Sequence, residues 1–169
     1  MAVSHVTIGT AGWAAFATYV GHPLSPEAVP AAILGSLAPD IDYPRSWIGR
    51  NLPFISYPLA KLVSHRGITH SAFALLAGGF ALYQWGHIAD GLLGAFLVGY
   101  LLHLLADWLT ISGIPVFWPF RKRYSSPITI RTGGALEIYV VVFIILVMLA
   151  TAGAIDTSSI KLNPAPLLQ

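Results

Sequence analysis

Apolar residues run in long blocks along this chain, and the polar ones gather in the short stretches between them. A helix that crosses a bilayer needs about 20 mostly apolar residues. Three stretches reach that length, at about 67–86, 91–112 and 135–155. The last holds the run YVVVFIILVMLA and is the plainest of the three. A fourth, at about 3–20, is rich in small residues and is also predicted to span. A fifth, Ala28–Ala38, is too short to cross. It reads as a half-helix or re-entrant segment, with Pro30 near its start and Pro39 at its end. The pattern predicts an all-α, polytopic membrane bundle of about four spanning helices plus one short segment. Residues 1–156 would form this single domain, and 157–169 a flexible tail.

Composition sharpens that reading. Of 169 residues, 56% are hydrophobic and only 9% charged, against about 25% charged in a typical soluble domain. Mean hydropathy is +0.71. Too few polar side chains exist to cover a water-facing surface, so the expected solvent is lipid, and no nucleic-acid partner is expected. Gly9, Gly12, Gly78, Gly79, Gly91, Gly94 and Gly99 lie in the apolar blocks. Such small residues let helices approach closely in lipid. No Lys or Arg precedes the first apolar run, so it lacks the basic region of a secretory signal and reads as a retained helix.

The basic residues set the expected orientation. Arg45, Arg50, Lys61 and Arg66 lie between the second and third blocks; Arg121, Lys122, Arg123 and Arg131 lie between the fourth and fifth. The turn around residues 83–90 has no Lys or Arg. By the positive-inside rule, both basic loops are cytoplasmic and the C-terminus is outside, with Lys161 the one base on the far side.

On that topology His5, Asp40, Asp42, His65, His70, His103, Asp107 and Glu137 all fall at or near the cytoplasmic face, although they come from five separate segments. His22, His87, Glu27, Asp90 and Asp156 map to the other side. Ionisable groups in spans are costly and mark functional sites, and a shared divalent cation removes that cost by pairing with several of them at once. His103 and Asp107 stand four apart, on one helical face, the spacing by which one helix offers two ligands. A plain hydrogen bond would use the same spacing. Asp40 and Asp42 flank one residue in APDIDYP, where a turn pair is the simpler reading and a bound cation the sharper one. His65 and His70 are five apart, not on one face, so His65 would reach in from the preceding loop. His5 alone fits a hydrogen-bonded helix-end histidine.

With no cysteine in the chain, thiolate ligands, disulfides and cysteine nucleophiles are excluded. Imidazole and carboxylate ligation suits Zn²⁺ first and Mn²⁺ second. The candidates outnumber the four ligands of one tetrahedral zinc, so one or two ions are expected. Arg66, Arg121 and Arg131 could bind an anionic substrate, although anionic headgroups would also explain Arg121–Arg123.

The runs LAPDIDYPRSWIGR, SHRGITHS, GYLLHLLADWLTISGIPVFWPF and RTGGALE, within about 4–138, resemble the YdjM family of LexA-regulated, membrane-bound, predicted metal-dependent hydrolases. The resemblance implies a bacterial or archaeal inner-membrane protein. A looser similarity joins His5, Asp42, His65, His103 and Asp107 to the zinc sites of phospholipases C and P1-type nucleases. The chain departs from those by lacking their N-terminal Trp ligand and having fewer histidines.

The leading expectation is a metal-dependent hydrolase of a phosphoester or a phospholipid headgroup at the cytoplasmic face. Asp40 or His70 would complete the site or act as general base, Arg66 would stabilise phosphate charge, and Glu137 would orient Arg131 or a ligand. A non-catalytic metal-binding module is the alternative. Ion transport ranks last, because the polar groups keep to one face. There is no HExxH motif, no Asp-rich phosphatidyltransferase signature, and no Lys/Arg–His set of metal-free lipid phosphatases.

Overall fold

The computed structural model describes residues 2–63, 67–86, 88–131 and 134–151. The described residues form seven α-helices: α1 (Ala2–Tyr19), α2 (Ala28–Leu37), α3 (Trp47–Asn51), α4 (Pro53–Leu62), α5 (Ala72–Trp85), α6 (Asp90–Trp108) and α7 (Ala135–Thr151). Two 3-10 turns, Ala38–Asp42 and Ile68–His70, precede α3 and α5. No strand occurs among the described residues, which bears out the all-α class.

Helix α6 is the centre of the fold. α1, α2 and α5 pack against it, and α7 packs on α1. The contact between α1, α2 and α6 is set by glycines. A Cβ on Gly35 would lie 2.0 Å from the Phe96 carbonyl oxygen, and one on Gly99 would lie 2.3 Å from that of Ala32. A Cβ on Gly9 would meet Ser36 Oγ at 1.9 Å and the Gly99 Cα at 3.3 Å. Backbone thus rests on backbone, an approach that only hydrogen at Cα permits. Beyond this junction Trp13, Ala17, Ala28, Ala32 and Ala95 form a small core, and Tyr100, Leu104 and Ile114 form another.

The outside is apolar. Tyr19, Leu76, Phe80, Phe120 and Phe143 are all more than 60% exposed, and α5 buries none of its residues. A helix apolar all round and yet unburied belongs in lipid. Among the described residues one helix, α6 over Gly91–Trp108, is both long and apolar enough to cross a bilayer unaided. α5 has 14 residues, and α7 is described over 17. Helices therefore occupy every block expected to hold one, while the count of four crossings stays an expectation. The tail 157–169 lies outside the described residues.

Two local findings differ from the sequence pattern. The stretch between α2 and α5 is not a plain loop: Ser46 caps α3 by accepting from the Gly49 amide at 2.9 Å, and Pro53 starts α4. Both helices are short, and Arg50, Asn51 and Lys61 interrupt their apolar runs. The block at 67–86 also becomes regular only at Ala72, because Ser71 is the N-cap there and Ile68–His70 make a separate turn.

After α6 the chain turns back over the helix end. Ser126 and Ile130 donate backbone hydrogen bonds to the carbonyls of Trp108 and Leu109, at 2.9 and 2.8 Å. These satisfy acceptors that a helix C-terminus leaves open.

Candidate metal centre

Each helix of the glycine junction places a polar side chain about one turn beyond its contact. His5 lies four residues before Gly9, His103 four after Gly99, and Asp40 five after Gly35. The close approach therefore fixes the depth at which these groups meet. From α6 come His103 and Asp107, from α1 His5, and from the two 3-10 turns Asp40 and His70.

His70 and His103 bring their Nε2 atoms to 3.3 Å. Asp107 Oδ2 lies 3.4 Å from the first and 3.7 Å from the second. Asp40 Oδ1 lies 3.6 and 3.9 Å from the same two nitrogens. His5 Nε2 sits 3.3 Å from the other oxygen of Asp107, with its ring against that of His103 at a centroid distance of 4.0 Å. Two sets of three potential ligand atoms follow, His5–His103–Asp107 and Asp40–His70–His103, each within 4.8 Å.

The far side of each imidazole explains what the near side offers. His103 Nδ1 is 2.6 Å from the Ser36 carbonyl, which only accepts, so Nδ1 carries the proton and Nε2 a lone pair. His70 Nδ1 is 3.1 Å from Thr69 Oγ1, and that hydroxyl donates to Asp42 Oδ2 at 2.6 Å. The hydroxyl oxygen is thus free to accept from Nδ1–H, which again turns the Nε2 lone pair inward. Tyr100 fastens the same turn by donating its hydroxyl to the Thr69 carbonyl. Two imidazole lone pairs and two carboxylates then face one another, an arrangement that a proton or a cation placed among them would stabilise.

A cation fits. Zinc ligands at ~2.0–2.1 Å in a tetrahedron stand ~3.3–3.4 Å apart, and the shortest separations here are 3.3 and 3.4 Å. In the absence of an ion a proton does the work. Burial works to lower the His70 pKa, but the hydrogen bonds to Asp107 and Asp40 and the charges of Asp107 and Asp42 outweigh it, and the net shift is upward. Burial of Asp40 acts to raise its pKa, while the His70 bond and the charges of His103, His70 and His5 bring it below the ordinary carboxylate value.

The seven expected ligands therefore separate. His5, Asp40, His70, His103 and Asp107 meet. Asp42 does not face the centre: its carboxylate is behind His70, on the Thr69 hydroxyl and 4.0 Å from His70 Nδ1. A 3-10 turn has three residues per revolution, so side chains two apart point in different directions. His65 and Arg66 lie outside the described residues. Glu137 is in the first turn of α7, and its side chain lies outside what is described. Arg121 and Arg131 are exposed in the segment after α6. Sequence reasoning missed Ser36, Thr69 and Tyr100; the position of Thr69 beside His70 was the one local sign.

Asp40 differs from the others in access. Its side chain is 23% exposed, whereas those of His70, His103 and Asp107 are 0, 1 and 1% exposed. Among the five, Asp40 is the one whose side chain reaches the surface appreciably.

The chain is similar to several known proteins. The Inner membrane protein YdjM of Escherichia coli (strain K12) is 47% identical over 118 residues, 66% of this chain, and its counterpart in Shigella flexneri matches to the same extent. The match spans 60% of the length of those two relatives. The uncharacterized protein YvsG of Bacillus subtilis (strain 168) is 32% identical over 135 residues, 79% of this chain and 82% of its own length. No solved structure matches. The model of the family described as YdjM inner membrane protein matches residues 1–161, and on that match the chain belongs to the YdjM family of inner membrane proteins.

Proposed function

We propose that this protein is a membrane-bound, metal-dependent hydrolase of phosphoesters, acting on a phospholipid headgroup at the cytoplasmic face of the membrane. One observation carries the reading: the inward-facing Nε2 lone pairs of His70 and His103, 3.3 Å apart, with carboxylate oxygens of Asp107 and Asp40 at 3.4–3.9 Å. His70, His103, Asp107 and Asp40 would hold a divalent ion, zinc by preference and manganese second. His5, on the remaining oxygen of Asp107, would orient that carboxylate or help hold a second ion. When bound, a divalent ion supplies Lewis-acid polarisation and makes water a usable nucleophile near neutral pH.

The residues of the chain do the rest. Asp40, whose side chain reaches the surface, accepts the proton of the attacking water and returns it to the leaving alkoxide as the P–O ester bond breaks. Ser36 and the Thr69–Asp42 pair hold the two imidazoles in the tautomer that faces inward. Arg66, four residues before His70 in the sequence, would bind the phosphate, with Arg121 and Arg131 as further basic groups and Glu137 orienting Arg131.

The deep burial of His70, His103 and Asp107 favours one competing reading, a metal-binding module without catalysis. Elemental analysis of detergent-purified protein is the first test. Wild type should carry one or two equivalents of metal, and His103→Ala and Asp107→Ala should lose it; equal metal in all three would end the proposal. A phosphodiester and phospholipid screen then separates the two readings. Phosphoester hydrolysis that is lost together with the metal in His103→Ala supports the hydrolase, and metal without activity on any phosphoester supports the module.

A further inference from the structure

The outward face of α4 is the reverse of what a helix in water presents. Phe54, Tyr57, Pro58, Lys61 and Leu62 follow at spacings of three, one, three and one, a single helical stripe. All five are exposed, with Phe54, Tyr57 and Leu62 at 60–82%. The opposite face carries Ser56, which is fully buried, with Leu59 and Ala60 half-buried beside it. The apolar stripe of α4 therefore points away from the protein. On α3, Trp47 and Arg50 stand three apart and are exposed as well.

Neither helix runs along the wall of the bundle. Their main contacts are with each other and with the 3-10 turn Ala38–Asp42. A Cβ on Gly49 would lie 2.1 Å from the Tyr43 carbonyl oxygen and 2.8 Å from Ser56 Oγ, so α3 and α4 are clamped together over Tyr43. The Ser46 hydroxyl, at the start of α3, donates to the Asp40 carbonyl at 2.9 Å and ties the pair to that turn. At 1.5 Å per residue α4 is ~15 Å long, half of what a span needs. Between residues 43 and 63 lie Arg45, Arg50 and Lys61, all exposed, and no Asp or Glu.

We infer that α3 and α4 form an interfacial element whose partner is the anionic headgroup layer of the membrane, with α4 lying in the plane of the surface. An apolar stripe with a basic residue that can snorkel is the composition that seats a helix ~5–10 Å into the boundary between headgroups and acyl chains. A second copy of the chain fits worse. A two-fold contact would set these basic residues against their own kind, with no acid in the segment to pair them. Lipid phosphates pair them. The lipid is here a bound partner and not a substrate, so the inference stands apart from the hydrolase proposal. Through the Ser46 bond, the seated pair would hold the Asp40 turn at headgroup depth.

With no cysteine in the chain, single labels test this. Bimane is attached at Phe54→Cys or Leu62→Cys in nanodiscs of mixed phosphatidylglycerol and phosphatidylcholine. Three quenchers are compared: iodide in the water, a nitroxide at headgroup depth and a nitroxide in mid-chain. The two positions are eight residues apart, ~12 Å along the axis. They should report equal depth, with the headgroup nitroxide the strongest quencher. Depths about 12 Å apart would stand α4 across the membrane, dominant iodide quenching would put it in water, and protection from all three would mean that protein covers it; each overturns the inference. For the charge, headgroup-depth nitroxide on phosphatidylglycerol should quench Phe54→Cys more than the same nitroxide on phosphatidylcholine. Replacing Arg45, Arg50 and Lys61 by Gln should remove that preference, at up to about five-fold per residue. Lys61→Gln alone, and added salt, should lower it in the same direction. Equal quenching by the two lipids with all three basic residues in place overturns the anionic partner.

Discussion

His70 is held from both sides, and its two nitrogens have different tasks. Nδ1 is tied through the Thr69 hydroxyl to Asp42, and Nε2 faces Asp107 and Asp40. Thr69→Val removes the hydroxyl and keeps the shape. Such outer partners are commonly worth 10–100-fold in metal affinity, so Thr69→Val should weaken metal binding by about that factor. Chelator competition on the folded variant measures it. The raised pKa of His70 gives a pH dependence with a definite sign. A proton on Nε2 occupies the position an ion needs, and binding the ion expels it. Affinity should therefore fall as pH drops through the His70 pKa, which lies above the ordinary 6.5, and level off at higher pH. Calorimetric titrations in buffers of different ionisation heat would show proton release; no release, or tighter binding at low pH, contradicts the assignment.

At the scale of the element, the glycines divide into two kinds that the sequence does not distinguish. Gly35 lies where α2 meets α6, and a Cβ there would be 2.0 Å from a backbone oxygen that cannot rotate away. Gly35→Ala should destabilise the protein by about 1–3 kcal/mol, the usual cost of overpacking. It should also lower metal content, because Asp40 is fixed through that contact. Gly78 faces open space, and Gly78→Ala should be neutral or stabilising, since Gly is ~1 kcal/mol worse than Ala in a helix interior. Thermal unfolding of the two variants in one detergent is the comparison; equal shifts would mean that the helix junction does not position the site. The sequence shows both as glycines in apolar blocks. Only the packing partner, many residues away, separates them.

For the whole molecule, the absence of cysteine makes the expected topology directly testable. Single cysteines introduced as Arg45→Cys and Arg121→Cys should react with impermeant thiol reagents from the cytoplasmic side, and Gln84→Cys from the opposite side. Labelling of all three from one side would show that α5 does not cross. At this scale α6 meets the length and hydropathy of a span by itself. The other apolar helices depend on their neighbours and on the thickness of the surrounding bilayer.

Hydrophobic blocks, their lengths and the placement of Lys and Arg are properties of the linear chain. From them the all-helical class, the membrane setting and the positions of the apolar helices could be read directly. The i, i+4 spacing of His103 and Asp107 is likewise local, because both lie on one helix. Only tertiary structure decided which distant groups join them. It turned Asp40 towards the cluster and placed the buried Asp42 behind His70 through the pitch of one 3-10 turn, and it recruited the Ser36 carbonyl and the Thr69 hydroxyl to set the imidazole tautomers. Those choices depend on where α1, α2 and α6 touch. The touching points are glycines, whose effect comes from the partner backbone that their missing side chains admit.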